Sequence, residues 1–438
     1  MSDLRPALFQ HHLVPLLAIM TANACAQLAS STLLTSIPLE LAASGHSSVE
    51  AGIIATAYSL GFVAGCLRGL QFMWRVGYIR AFSAAAAIAA LLITVMDLWQ
   101  NFWIWALLRF FMGACLAMVF ACADAWLGAA APEQVRGRIF SANALFMGAT
   151  SILAQGVVSL LIYSPTRLME VVSALLMFSV VVLCMTHSIP PQTTDTRKIP
   201  LKEVWDNAPV ALAGALVSGA VTTSLITILP YNFANAGFAP SMTAIMICAL
   251  YVGRLIFQYP LGVLSDKMDR RWLIMVCTGV IAVLAVIQLT LDPFQYLDDD
   301  PQHHLKLLFI LSGGLIVIGG FSFPLYTLCI AHGFEYQKAS GMALSMRLLF
   351  AWAMGCAAGP AATTVLLPIL GENAPIYLIA VLCTGMCAFT ANRLMKKKPQ
   401  APEHQTPKMV YPFSGLGIMR KFRRRSLKPA QSPSGEQT

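Results

Sequence analysis

The chain has 438 residues, 57% of them hydrophobic and only 11% charged, with a formal net charge of +9. Soluble domains carry about 25% charged residues, so the composition excludes a water-soluble enzyme. Crossing a bilayer core of about 30 Å takes roughly 20 apolar residues per helix, which allows about twelve crossings with short loops and leaves no room for a large extramembrane catalytic domain. The 24 prolines and 30 glycines fit membrane helices, where neighbours re-satisfy freed backbone groups.

The first residues, MSDLRPALFQHH, hold one Arg and no small-residue cleavage site, and read as a retained start. Apolar stretches then predict spans near 13–41, 49–70, 80–97, 102–127, 139–163, 168–188, 208–234, 241–264, 272–292, 305–331, 341–368 and 373–394. Of the 29 Lys and Arg residues, alternate loops and the tail on one side carry all but five. Arg167 and Lys306 lie on the other side, and Arg109, Arg254 and Arg347 fall within spans. Such asymmetry predicts cytoplasmic termini and an even number of crossings.

The polar segment from Pro190 to Pro209 interrupts the middle of the chain. It divides the expected all-α membrane fold into an N-terminal six-helix bundle (1–189), a linker (190–207), a C-terminal six-helix bundle (208–394) and a basic tail (395–438). Gly65, placed in the loop after the second span, and Gly262, placed in the loop after the eighth, suggest a parallel repeat with a site between the halves. The 11 cysteines include no Cys-x-x-Cys and read as small buried hydrophobes rather than a disulfide or metal framework. In the tail, Arg420-Lys421-Phe422-Arg423-Arg424-Arg425 is expected to touch anionic membrane lipid. Nucleic acid is not an expected partner, because no folded module accompanies the charge.

Rows of small residues at four-residue spacing lie on one helix face: Ala57, Gly61, Gly65 and Gly69; Arg109, Gly113, Ala117, Ala121 and Ala125; Arg347, Ala351, Gly355 and Gly359. They read as close helix contacts. Polar residues facing lipid are costly, so the row Asn23, Gln27, Ser31, Thr35 in the first span, Asn143, Ser151, Gln155, Ser159 in the fifth and Thr223, Thr227, Tyr231 in the seventh read together as a water-filled cavity. Arg254 lies 12 residues before Asp266, roughly 18 Å along a helix and hence near mid-membrane. Gln258 follows it on the same face and Tyr251 is nearby, so a solute oxygen or carboxylate could be held there by charge-assisted bonds. Arg109 lies about 10 Å in from Phe102; Arg347 is nearer an end and reads as snorkelling. The candidate solute-binding set is Asn23, Gln27, Arg109, Gln155, Thr223, Thr227, Arg254, Gln258 and Tyr326.

The run Gly262-Val-Leu-Ser-Asp266-Lys267-Met-Asp-Arg270-Arg271 resembles the signature loop of the major facilitator superfamily. A degenerate first-half copy, GCLRGLQFMWRVGYIR from Gly65, has Gly69 where the family carries Asp. The stretches YSLGFVAGCL, RVGYIRAF, DAWLGAAAPEQVRGRIFS and QYPLGVLSDKMDRR resemble the bacterial YcaD-like branch, over roughly residues 13 to 394. The resemblance implies a secondary transporter of the bacterial inner membrane, working by alternating access, with spans one and seven lining its cavity. Arg109-x-x-x-Gly113 matches a fourth-span motif, and Gly355-x-x-x-Gly359-Pro360 implies a bend in the eleventh. The resemblance also makes Asp124 a partner for a basic loop residue, here Arg75, and with Asp266, Arg270 and Arg271 these form the candidate gate.

No Asp, Glu or His occupies the middle of a predicted span; Glu40, Asp97, Asp124, His187 and His332 fall near ends. Arginine does not titrate in range, so the cavity favours an anionic or polyhydroxylated solute over a lipophilic cation. Coupling to a proton stays open, through Glu40, Asp124 or the solute itself. The alternatives are proton-coupled efflux of lipophilic drugs and a transporter-like sensor or scaffold. An embedded enzyme lacks a clustered acid, base and nucleophile. Asp298, Asp299 and Asp300 with His303 and His304 read as a solvated loop rather than a metal site, and Gly313-Gly314 and Gly319-Gly320 as packing. No cofactor is expected, no nucleotide motif points to ATP-driven transport, and the chain is expected to work as a monomer.

Overall fold

The computed structural model describes residues 4–99, 101–130, 136–185, 200–291, 301–336 and 341–396. The first six helices are α1 (Leu4–Ala43), α2 (Ser48–Val76), α3 (Tyr78–Leu98), α4 (Phe102–Ala130), α5 (Arg136–Leu161) and α6 (Pro165–Cys184). A short α7 (Leu201–Asn207) precedes α8 (Pro209–Asn235), α9 (Pro240–Ser265), α10 (Arg270–Leu291), α11 (Pro301–Tyr336), α12 (Gly341–Leu370) and α13 (Ala374–Lys396). The twelve long helices are the expected spans, so spans seven to twelve are α8 to α13. Several run past the hydrocarbon. α2 continues helical to Val76 and stops only at Gly77, whose φ of 89° suits a residue without Cβ.

Local chemistry sets the helix ends. Ser47 caps α2 in a capping box: its Oγ accepts from the Glu50 N–H at 3.3 Å, and the Glu50 carboxylate accepts from the Ser47 N–H at 2.8 Å. Pro165, Pro209 and Pro240 open α6, α8 and α9, where a missing N–H costs nothing. Within the linker expected between the bundles, α7 buries Val204 and stacks Trp205 on Phe389 of α13 at 6.2 Å.

One core belongs to α1–α6 around Phe82, Met112 and Trp126, and a second to α8–α13 around Ile274, Cys277 and Leu325. Helix pairing repeats between them. α2 packs on α4, α3 on α6 and α1 on α5; correspondingly α9 packs on α11, α10 on α13 and α8 on α12. The bundles meet through α2 with α12, α5 with α9, and α1 with α8.

Glycines set the closest approaches. A Cβ on Gly61 would strike the Phe110 carbonyl and one on Gly113 the Tyr58 carbonyl; Gly253 and Gly319 stand in the same relation to Ile316 and Leu250, and Gly219 and Gly355 to Trp352 and Leu216. These contacts make Gly61 the counterpart of Gly253. The expected pairing of Gly65 with Gly262 is therefore corrected: both lie inside helices, α2 and α9, not in loops. Gly319 and Gly320 are packing glycines as expected, whereas Gly313 and Gly314 face open space.

Gly253→Ala forces a Cβ against backbone that cannot repack, and overpacking costs about 1–3 kcal/mol. Purified Gly253→Ala should unfold several degrees below the parent in a detergent thermal melt. Gly313→Ala, with space around it, should melt within about one degree of the parent.

Candidate functional site

At one end of the molecule, where α2 meets α3 and α9 meets α10, lie Arg68, Arg75, Arg80, Lys267, Arg270 and Arg271, mostly on the helix ends; the opposite end holds the α1–α2 and α8–α9 turns. This far end is closed across the bundles. Leu39 of α1, Val158 of α5 and Ala244 of α9 pack together, the Tyr231 hydroxyl of α8 donates to the His46 carbonyl at 2.7 Å, and Gly52 of α2 lies against Thr364 of α12.

Deeper in, polar side chains converge. Gln27 Nε2 donates to Ser31 Oγ at 3.0 Å and to Ser151 Oγ at 3.1 Å, and the two hydroxyls are 3.1 Å apart, which ties α1 to α5. Ser30 meets the Tyr58 hydroxyl at 3.4 Å. From the second bundle, Tyr251 reaches Ser31, and its ring stacks on Phe323 of α11 at 5.4 Å. The Arg254 guanidinium lies 5.4 Å from the same Phe323 ring and donates through Nε to Gln258 Oε1 at 3.4 Å. Arg254, Gln258 and Gln27 are all half-buried. Tyr326, one turn along α11 from Phe323, lies 5.6 Å from Trp352, which in turn is 6.1 Å from Phe62 of α2.

The other expected site residues lie around this group, Arg109 joining it through Tyr58. Arg109 is 2% exposed, lies 4.4 Å over the Tyr58 ring and leaves Nε without a hydrogen-bond partner. It shares a small cavity with Leu34, Ile54 and Thr227, while the Thr227 hydroxyl turns back to the Thr223 carbonyl at 2.7 Å. Thr223 itself bonds Cys356 of α12. Gln155 is buried with both amide atoms unpartnered, and the carbonyls of Asn23 and Asn143 are likewise unsatisfied.

Asp124, exposed on α4, lies within electrostatic reach of Tyr326. The expected Arg75–Asp124 ion pair is absent among the described residues. α2 stays helical to Val76 and carries Arg75 on an exposed face. Arg270 and Arg271 open α10 and are each 3% exposed. Arg270 pairs with Glu335 at 2.8 Å and Asp266 at 3.6 Å and donates to the Ala331 carbonyl; Glu335 also meets His332 at 3.1 Å. Arg271 pairs with Asp269 at 2.7 Å. These pairs join α9, α10 and α11 within the second bundle. Burial pushes the Asp269 carboxyl up, but the hydrogen bonds and charge of Arg271 outweigh it and hold the group below the ordinary carboxylate value.

Sequence reasoning did not single out Glu335, Tyr58, Phe323, Trp352 or Phe62. The His332 and Glu335 spacing of three residues was a usable signal; the aromatics carried none, since aromatic residues on apolar helices read as core. The Asp298–Asp300 cluster and the Arg420–Arg425 tail lie outside the described residues.

The sequence profile of the Major Facilitator Superfamily matches residues 19–233 and again 210–428. The chain belongs to the major facilitator superfamily. It is similar to the uncharacterised MFS-type transporter YcaD of Escherichia fergusonii, 23% identical over 369 residues, covering 84% of this chain and 92% of that one. The YcaD of Salmonella arizonae is 23% identical over 356 residues, covering 81% and 89%. Among solved structures, the nucleoside transporter NupG superposes with a TM-score of 0.68 at 13% identity, covering 88% of this chain and 100% of that one. A bacterial homologue of the human lysosomal transporter Spinster, inward-facing and unoccupied, gives 0.60 at 16% identity, covering 97% and 99%. The major facilitator chain is thus a multi-pass secondary transporter and not an enzyme.

Arg270→Met breaks a buried pair, which costs about 3–5 kcal/mol when one partner is removed. It should lower the yield of folded protein and the melting temperature by far more than Arg75→Met, on the exposed face of α2. Asp269, held low in the folded protein, contributes stability that is complete above the ordinary value near pH 4 and lost as pH falls through its lower folded value. In melts across an acid series, Asp269→Asn should be destabilised at neutral pH, with the difference from the parent closing at low pH.

Proposed function

We propose that the chain transports a small polar or anionic organic solute held between its bundles, with Arg254 as the cation of the site. The carrying observation is Arg254 itself. It stands about 18 Å from the end of α9 by helical rise, half-buried, and forms no ion pair among the described residues. An uncompensated cation at that depth is costly unless it faces water or an anion. Gln27 and Gln258 supply neutral donors and acceptors beside it, and Tyr326 a further hydroxyl. That NupG, on the same fold, is a nucleoside transporter supports a polar organic cargo.

The positive-inside rule supports a cytoplasmic basic end, so the closed far end makes this conformation closed to the outside. Alternating access would part Leu39, Val158 and Ala244 and close the basic end, with Asp266, Arg270 and Arg271 acting on that closure through α9 and α10.

The test is a thermal-shift panel on detergent-purified protein with organic anions, sugars, amino acids and lipophilic cations, followed by flux in vesicles. A ligand that binds only the folded state raises its melting temperature. Anions should stabilise the parent and not Arg254→Ala, and the same variant should lose flux at least tenfold while inserting normally. Stabilisation by lipophilic cations alone would replace this reading with drug efflux. Asp266→Asn should increase labelling of single cysteines placed at the basic end.

A further inference from the structure

The aromatic side chains beside Arg254 form a continuous shelf across the seam between the bundles. Phe323 and Tyr326, three residues apart on α11, share one helix face, and the ring contacts from Tyr326 through Trp352 to Phe62 lead from it to the first bundle. Trp352 carries the shelf onto α12 and Phe62 carries it onto α2. Unlike the core aromatics Phe82 and Phe233, each 1% exposed, all four keep accessible surface. One edge of the shelf is charged, because Arg254 lies over Phe323 with Gln258 beside it. The other edge carries the opposite sign in Asp124.

We propose that the solute is a planar aromatic monocarboxylate. Its carboxylate meets the Arg254 guanidinium and the Gln258 amide, and its ring lies on Tyr326 and Trp352 and against the edge of Phe323. The shape follows from the chemistry. Offset or edge contact with several rings rewards a flat π-face over a flexible alkyl chain, while a planar guanidinium fork matches a carboxylate. Asp124 at the far edge repels a second carboxylate, which sets a monoanion apart from a diacid. This inference rests on the Arg254 site proposed above and names its substrate class.

The experiment measures binding to the purified full-length protein by calorimetry, with naphthoate, decanoate, naphthyl methanol and naphthalene dicarboxylate as probes. Naphthoate is expected to bind at least about tenfold more tightly than each of the other three. Trp352→Leu should weaken naphthoate about tenfold and leave decanoate unchanged, and Arg254→Gln should abolish binding of both acids. Equal affinity for naphthoate and decanoate, or a Trp352→Leu variant that binds naphthoate like the parent, overturns the aromatic class while Arg254-dependent acid binding leaves the parent reading standing. Naphthyl methanol binding as tightly as naphthoate, with no effect of Arg254→Gln, overturns both. Failure of the folded, monodisperse parent to bind any of the four overturns the aromatic proposal, and the anion panel then decides the parent reading separately.

Discussion

The architecture depends on how closely two helix backbones approach when lipid supplies no hydrophobic drive between them. In this chain the answer is repeated at reciprocal glycines. Gly61 and Gly113 each face the other helix's carbonyls, as do Gly253 with Gly319 and Gly219 with Gly355. Each contact sets one helix against its partner with no side chain between, so the pair moves as a unit. Two bundles of such pairs leave the compliant surface where bundles meet, at α2 with α12, α5 with α9 and α1 with α8. A transporter that rocks needs this division between stiff pairs and a yielding seam.

Buried polar groups occur both within the bundles and at the seam. Within the second bundle, Arg270, Asp266, Glu335 and His332 pair in a buried network that joins α9, α10 and α11, with Arg270 Nε left unpartnered. Other buried atoms are unpartnered as well: both amide atoms of Gln155, Asn23 Oδ1, Arg109 Nε and Trp126 Nε1. Buried polar atoms are normally paired.

Much of the fold was legible because lipid enforces simple rules. Apolar length predicted twelve spans, and the described residues hold twelve long helices. Helix ends at the basic side were less legible, since hydropathy stops at the hydrocarbon while α2 continues to Val76 and only Gly77 ends it. Arg75, expected in a loop after the second span, is therefore on α2. Arg254 and Gln258 were legible as a polar pair one turn apart, and Gln27 with Ser31 and Ser151 as rows on facing helices. The aromatic shelf was not, because whether Trp352 or Phe62 faces core, lipid or cavity depends on helix rotation within the bundle, which a uniformly apolar sequence does not encode.

The bond from the Tyr231 hydroxyl to the His46 carbonyl has a character of its own. Its acceptor is main chain, so any residue at position 46 would offer the same oxygen, and only the tyrosine is specific. When the far end parts, both groups reach water, and the exchange of one hydrogen bond for another is worth only about 0.5–1.5 kcal/mol. The contact therefore behaves as a detent: it registers the shut position cleanly and releases under a load that thermal motion supplies many times over in a single turnover.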